Sequence, residues 1–174
     1  LAGDDGIREW DVGFERAGDH SFRILVDGDD VKAVAEISDT AVDLARGELM
    51  QRRGAFNTSL EETEYLDRCR LKTARLFEAA CVLGRDSVGG GDGDVVALFG
   101  HRIGLAFQML DDVLDIAGPV ERTGKARGTD LLDGTVTLPF IEAAKVDPTL
   151  RDYDLASLDE VAAEALCERI LATC

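Results

Sequence analysis

Apolar residues recur at helical spacing along most of this chain. In residues 31–53, Val31, Val34, Ile37, Ala41, Leu44, Ala45 and Leu49 form a 3.6-residue stripe. Ser59 is a plausible N-cap, with Glu62 three residues later as its capping-box partner. The helix it opens is expected to run to about Leu83, with Gly84 as its stop. Residues 85–93 read R-D-S-V-G-G-G-D-G, a linker; no G-K-[ST] follows to make it a phosphate cradle. A long helix is predicted from about Asp94 to Ile116, ended by Gly118-Pro119. A last helix is predicted from Asp159 to Thr173, with Val161, Ala162, Ala165, Leu166, Ile170 and Leu171 on its apolar side. There is no convincing strand alternation and no internal repeat. The predicted class is all-α, and 174 residues fit a single domain.

The candidate chemistry lies in Gln108–Pro139. Asp111, Asp112 and Asp115 sit among Phe107, Met109, Leu110, Val113, Leu114 and Ile116. Residues four apart lie on one helix face, so Asp111 and Asp115 point the same way and Asp112 flanks them. Carboxylates held in apolar surroundings are costly unless a cation compensates them. Mg²⁺ commonly takes one or two carboxylates plus phosphate oxygens, so the sharp reading is a metal–diphosphate site. In a chain this rich in Asp, an isolated D-D-x-x-D reads more readily as a solvated acidic face. Its neighbours change the balance: Gln108 precedes it, and G-K-A-R-G-T-D-L-L-D-G and T-V-T-L-P follow.

The formal charge is −16, from 35 acidic and 19 basic residues. That argues against nucleic acid as a partner and against docking on an anionic membrane. The acid is spread along the chain rather than gathered in a tail, which favours adaptation to a salty cytoplasm over ordinary surface charge. Hydrophobic content of 45% supports an ordinary core. Cys69, Cys81, Cys167 and Cys174 form no C-x-x-C pair, and with only two His a zinc site is not expected. Reduced thiols fit a cytoplasmic protein. No apolar run is long enough for stable membrane insertion.

The ordered motifs resemble those of the trans-isoprenyl diphosphate synthases (polyprenyl synthetases). F-Q-M-L-D-D-V-L-D is similar to their second aspartate-rich motif, and G-K-A-R-G-T-D-L-L-D-G-T-V-T-L-P-F to the segment after it. Lys72-Thr73-Ala74 resembles the family's K-T helix, and A-R-G-E-L-M-Q, residues 45–51, its G-E-x-x-Q helix. Leu1–Asp4 resembles the start of a helix further upstream. The resemblance runs in order from about residue 1 to about residue 145. It implies the C-terminal part of an isoprenoid-synthase helical bundle. The expected relative is a short-chain member, such as a geranylgeranyl-type synthase of a salt-adapted cell.

The resemblance implies a reaction and roles. An allylic diphosphate would condense with isopentenyl diphosphate, assisted by Mg²⁺. Asp111, Asp112 and Asp115 are the implied metal ligands, with Asp111 and Asp115 the more direct pair. Lys72 and Lys125 are the implied cationic contacts to diphosphate, and Thr73 and Gln108 supply neutral hydrogen bonds. Lys72, Gln108 and Lys125 form the implied catalytic set, and a homodimer is the family's usual assembly. Many members carry Lys in G-K-x-T-L-P where this chain has Thr135, which removes one phosphate contact unless a nearby Arg compensates. The family's first aspartate-rich motif and its paired arginine have no counterpart here, since Asp4-Asp5 and Asp29-Asp30 are poorly placed. The single domain is therefore expected to be incomplete at its N-terminus. The alternative is a non-catalytic partner subunit or a truncated inactive homologue.

Overall fold

The computed structural model describes residues 12–18, 21–26, 31–88, 91–118 and 127–173. Leu1–Asp4, the Asp4-Asp5 and Asp29-Asp30 pairs, part of the 85–93 linker, Pro119, Lys125 and Cys174 lie outside the described residues.

The body is helical, as the apolar periodicity predicts. It comprises α1 (Val31–Arg53), α2 (Glu62–Cys69), a π-helical turn (Arg70–Ala74), α3 (Arg75–Val88), α4 (Gly93–Ala117), α5 (Thr129–Leu132), α6 (Leu138–Val146) and α7 (Glu160–Leu171). Two 3₁₀ turns, Pro148–Asp152 and Leu155–Ser157, join α6 to α7. Ahead of α1 stands one element that the sequence reading did not find. It is an antiparallel hairpin of β1 (Val12–Gly18) and β2 (Ser21–Val26). Its register sets Val12 opposite Val26, Phe14 opposite Ile24 and Glu15 opposite Arg23. The alternation is short, and Gly13, Ala17 and Gly18 dilute it, which hid it from a periodicity count.

Three expected boundaries and faces are corrected. Ser59 does not cap α2. Leu60 is buried and turns into the core first, its N–H bonding the Asn57 carbonyl. The capping box forms two residues later, between Glu61 and Glu64. Gly84 does not stop the helix, which runs on to Val88. A Gly inside a helix costs only about 1 kcal/mol, too little to end it. On α1, Ala41, Ala45 and Leu49 of the predicted stripe are exposed. The face turned toward α3 instead carries Glu36, Thr40, Asp43, Gly47 and Gln51, also at helical spacing. Arg75 on α3 pairs with Glu36 (3.2 Å) and Asp43 (3.1 Å), so charge rather than grease sets that face.

α4 begins where predicted, with Asp92 as N-cap accepting from the Asp94 N–H at 3.0 Å. α7 opens likewise on Asp159, which accepts from the Ala162 N–H at 2.8 Å. The apolar core lies between α2, the C-terminal end of α4, α6 and α7. Tyr65, Ile116, Leu131, Phe140, Leu166 and Ile170 are among its buried members. Ile116 follows Asp115 directly, so burying it anchors the acidic end of α4. Farther along α4, Val95, Phe99, Ile103, Phe107, Leu110 and Leu114 form an exposed apolar stripe, with Phe99 61% and Leu110 63% exposed. Among the described residues no helix is long and apolar enough to cross a membrane.

Candidate functional site

The π-helical turn is the pivot of the site. It carries Lys72 and Thr73 and joins α2 to α3 without a gap. Glycines let two helices close on it. A Cβ on Gly47 of α1 would lie 2.7 Å from the Lys72 backbone nitrogen. A Cβ on Gly104 of α4 would lie 2.6 Å from the Ala74 Cα. Neither distance is tolerable for real atoms, so these positions require Gly. The G in the G-E-x-x-Q stretch thus has a packing reason.

Gln51, one turn beyond Gly47, reaches the same cavity. Its Oε1 accepts from Lys72 Nζ at 2.8 Å, and its Nε2 donates to Thr135 Oγ1 at 3.2 Å. Glu48 Oε1 lies 3.1 Å from Lys72 Nζ. Lys72 is therefore held toward the cavity by Gln51 and Glu48 rather than free in solvent.

Asp112 is buried, at 3% exposure, and both its oxygens accept hydrogen bonds. Tyr65 donates its hydroxyl to Oδ2 at 2.7 Å, and Gln108 donates Nε2 to Oδ1 at 2.8 Å. Thr73 in turn donates its hydroxyl to Gln108 Oε1 at 2.6 Å. Asp111 is exposed on the neighbouring face. The segment after α4 folds back onto Asp115. Gly128 donates its N–H to the Asp115 carbonyl at 2.9 Å, and Asp130 its N–H to Asp115 Oδ2 at 3.1 Å. Gly128 makes this return at φ 75°, a left-handed conformation that suits Gly. Arg127 just before it is engaged by Glu164 and Glu168 of α7.

A cavity of about 250 Å³ gathers these groups, with Gln51, Lys72, Gln108, Asp111, Asp112 and Asp130 among its lining. The predicted Lys72, Gln108, Asp111 and Asp112 thus meet around one space, and Thr73 joins them through Gln108. Asp115 is not among that lining and is tied to it through the Asp130 N–H. Lys125 lies outside the described residues.

Several residues in the cavity wall, or behind it as Tyr65 is, escaped the sequence reading. Tyr65, Cys69 and Lys72 share one helix face at spacings of four and three, a signal that could have found the first two. Arg68, also buried, donates Nη2 to the Val136 carbonyl at 2.7 Å and lies 5.4 Å from the Tyr65 ring centroid. Asp130 stood in the quoted G-x-D stretch without a role. Burial, then the charges of Asp115, Asp112 and Asp111, push its carboxyl up to about 7. Burial also raises the Asp112 carboxyl, against the pull of its two hydrogen bonds.

The donor set fits a divalent cation shared with a ligand better than one caged by protein. Among the described residues, no three carboxylate, imidazole or thiol groups converge closely enough to hold a metal alone. Mg²⁺ is usually bound by one or two carboxylates, with substrate phosphates completing its shell. Thr137 Oγ1, at a residue 1% exposed in the cavity wall, has no hydrogen-bond partner among the described residues, as expected of a wall that meets a polar guest.

Asp130 gives a pH prediction for the metal-free protein. A carboxyl raised to about 7 in the fold ionises first in the unfolded chain, so its contribution to stability falls as pH rises from about 4 to about 7. Asp130→Asn is expected to remove that fall. The melting temperature of the variant should gain on the parent at pH 8 and not at pH 4. An equal gain at both pH values would refute the assignment.

Comparison with known proteins agrees with this geometry. The family model described as Polyprenyl synthetase matches residues 18–171. Heptaprenyl diphosphate synthase component 2 of Geobacillus stearothermophilus is 41% identical over 109 residues, covering 62% of this chain and 34% of that protein. A prenyl transferase of Synechocystis is 35% identical over 145 residues, covering 77% of this chain and 43% of that protein. The polyprenyl synthase of Caulobacter crescentus, solved with calcium and isoprenyl diphosphate, superimposes with a TM-score of 0.76 at 29% identity, over 83% of this chain and 46% of that one. The heptaprenyl diphosphate synthase of Staphylococcus aureus gives a TM-score of 0.75 at 30% identity, over 82% and 46%. This chain therefore spans less than half the length of these relatives. With the family model matched over nearly all of its length and the helical fold shared, the chain belongs to the polyprenyl synthetase family.

Proposed function

We propose that this chain supplies the diphosphate-ionising half of a trans-prenyl diphosphate synthase, which condenses isopentenyl diphosphate with an allylic diphosphate. The observation that carries the reading is the meeting of Asp111, Asp112, Lys72 and Gln108 around one cavity in a chain of this family. Bound Mg²⁺ would neutralise charge developing on the leaving diphosphate. Asp111 and Asp115 would hold it, with Asp112 behind them. Lys72, aimed by Gln51, would contact the diphosphate as a point charge, and Lys125 would do the same from the following segment. The allylic C–O bond breaks heterolytically, and both electrons leave with the diphosphate. The double bond of isopentenyl diphosphate attacks the allylic cation. The proton lost afterwards passes to the released pyrophosphate. Water must be kept out, since it would quench the cation.

The single domain is read as part of a larger bundle. The matched part is less than half of the relatives' length, and α4 leaves its apolar stripe uncovered. Further helices of a family bundle would cover that stripe, and a homodimer would complete the assembly in a cytoplasmic setting. A non-catalytic partner role is the second reading. One relative bears the name component 2, which makes it one component of a synthase.

A Mg²⁺-dependent condensation assay tests both readings. It takes isopentenyl diphosphate and an allylic diphosphate, with the chain alone and with the chain extended to a full-length family bundle. Activity in the extended form supports the proposal, and the product reports chain length. Inactivity of both forms, with activity gained on adding a catalytic family member, would establish the partner role instead.

A further inference from the structure

Two cations line the cavity beside Asp111, Asp112 and Asp130, and they are held differently. Lys72 has a counter-ion, Glu48 at 3.1 Å. Arg68 is only 5% exposed, yet it forms no ion pair among the described residues. Arg75, Arg127 and Arg169 each do. The Arg68 guanidinium donates Nη2 to the Val136 carbonyl and makes no other hydrogen bond among the described residues, although it carries several more N–H groups. Its charge is felt from farther off. Burial raises the Asp112 and Asp130 carboxyls, and Arg68 pulls against that rise. A buried cation without a close counter-ion is costly, so an anionic group is expected to complete it.

Val136 fixes where the head group lies. It stands between Thr135 and Thr137, and both of these line the cavity. Arg68 also borders a second cavity, with Met50, Arg53 and Glu64, but Thr135 and Thr137 are not in that lining. The guanidinium is therefore pinned to the wall of the first cavity. Thr137 Oγ1, in the same wall, has no partner among the described residues. A buried hydroxyl and a guanidinium with donors to spare suit a diphosphate, whose oxygens accept from both.

Resting on the reading above, we infer that Arg68 is a further contact to the leaving diphosphate, serving in place of the lysine that Thr135 displaces. It reaches from α2 the wall that a lysine at 135 would serve from within the segment itself. A guanidinium is planar and always charged, so it offers phosphate oxygens a fork where lysine offers a point. With Lys72 it gives the cavity two cations to meet the charge that builds as the allylic C–O bond breaks.

Calorimetric binding of inorganic pyrophosphate with Mg²⁺ to the full-length bundle tests this without turnover. Arg68→Gln removes the charge and keeps a donor for Val136. It is expected to weaken binding about tenfold or more, the contribution usual for a hydrogen bond to a charged group. Adding Thr135→Lys should recover much of that loss, because an ammonium returns to the same wall. A purely structural Arg68, holding Val136, would gain nothing from a lysine at 135. Unchanged affinity in folded Arg68→Gln overturns the inference, and so does a loss that Thr135→Lys leaves untouched. If Arg68→Gln fails to fold by circular dichroism, Arg68→Met is read in the same way. If both fail, the parent decides by NMR. Its Arg68 Nε–H resonance should shift when Mg²⁺ and pyrophosphate are added, and a fixed resonance overturns the inference. Lys72→Gln separates this contact from the reading beneath it. Weakening there, with Arg68→Gln unaffected, leaves the diphosphate site standing and removes Arg68 from it. A parent that binds no pyrophosphate removes both.

Discussion

Asp111→Ala in the full-length bundle is expected to lower turnover by about a hundredfold or more, the loss seen when a preorganised charge-stabilising group is deleted. The helical signal and melting temperature should barely move. Asp111 is exposed and lines the cavity without supporting the core, and surface substitutions of that kind usually stay within about 0.5 kcal/mol. Asp112→Ala would reveal much less, because it leaves the Tyr65 hydroxyl and the Gln108 amide without their shared partner inside the protein. Comparing kcat, KM and melting temperature for the Asp111 variant at saturating Mg²⁺ checks the prediction. Unchanged turnover would remove its metal role.

The second large effect is mechanical. Gly→Ala in a helix ordinarily gains up to about 1 kcal/mol. Gly84 should behave so, because nothing lies within 4 Å of where its Cβ would stand. Gly104→Ala should do the reverse. Its Cβ would meet the Ala74 backbone at 2.6 Å and the Phe77 side chain at 3.1 Å, and backbone cannot rotate away. Overpacking of this kind costs about 1–3 kcal/mol, which outweighs the propensity gain. At 2–4 °C per kcal/mol for a domain of this size, a fall of about 5 °C is expected. Turnover should fall as well, since α4 carries Asp111 and Gln108 past the turn that carries Lys72 and Thr73. Thermal melts of Gly84→Ala and Gly104→Ala side by side settle it. Shifts of the same sign would mean that the crossing is looser than drawn.

The helices were legible because their apolar periodicity is strong, and α4 and α7 start close to the expected residues, on aspartates that cap them. What stayed hidden was the orientation of α1. Its inward face is polar, and only the ion pairs of Arg75 and the close approach at Gly47 reveal it. The hairpin was missed for a related reason, since short strands diluted by glycine leave little alternation to count. At the site, the acidic triad and the K-T pair were readable as linear motifs. Arg68 and Asp130 were not, because their roles come from partners 68 and 15 residues away. The π-helical turn gives no periodic signal either, although it decides where Lys72 points.

Thr135 bears on how this family's sequences can change. Gln51 accepts from Lys72 with one end of its amide and must therefore donate with the other, and the hydroxyl of Thr135 receives that bond. A lysine at 135 has donors only and would confront the Gln51 NH₂ with a second positive group. Restoring the common lysine by itself would then unsettle the aim of Lys72 while adding a charge. Members that carry the lysine together with the G-E-x-x-Q and K-T motifs must therefore seat the glutamine amide differently, with its oxygen shared between two ammonium groups.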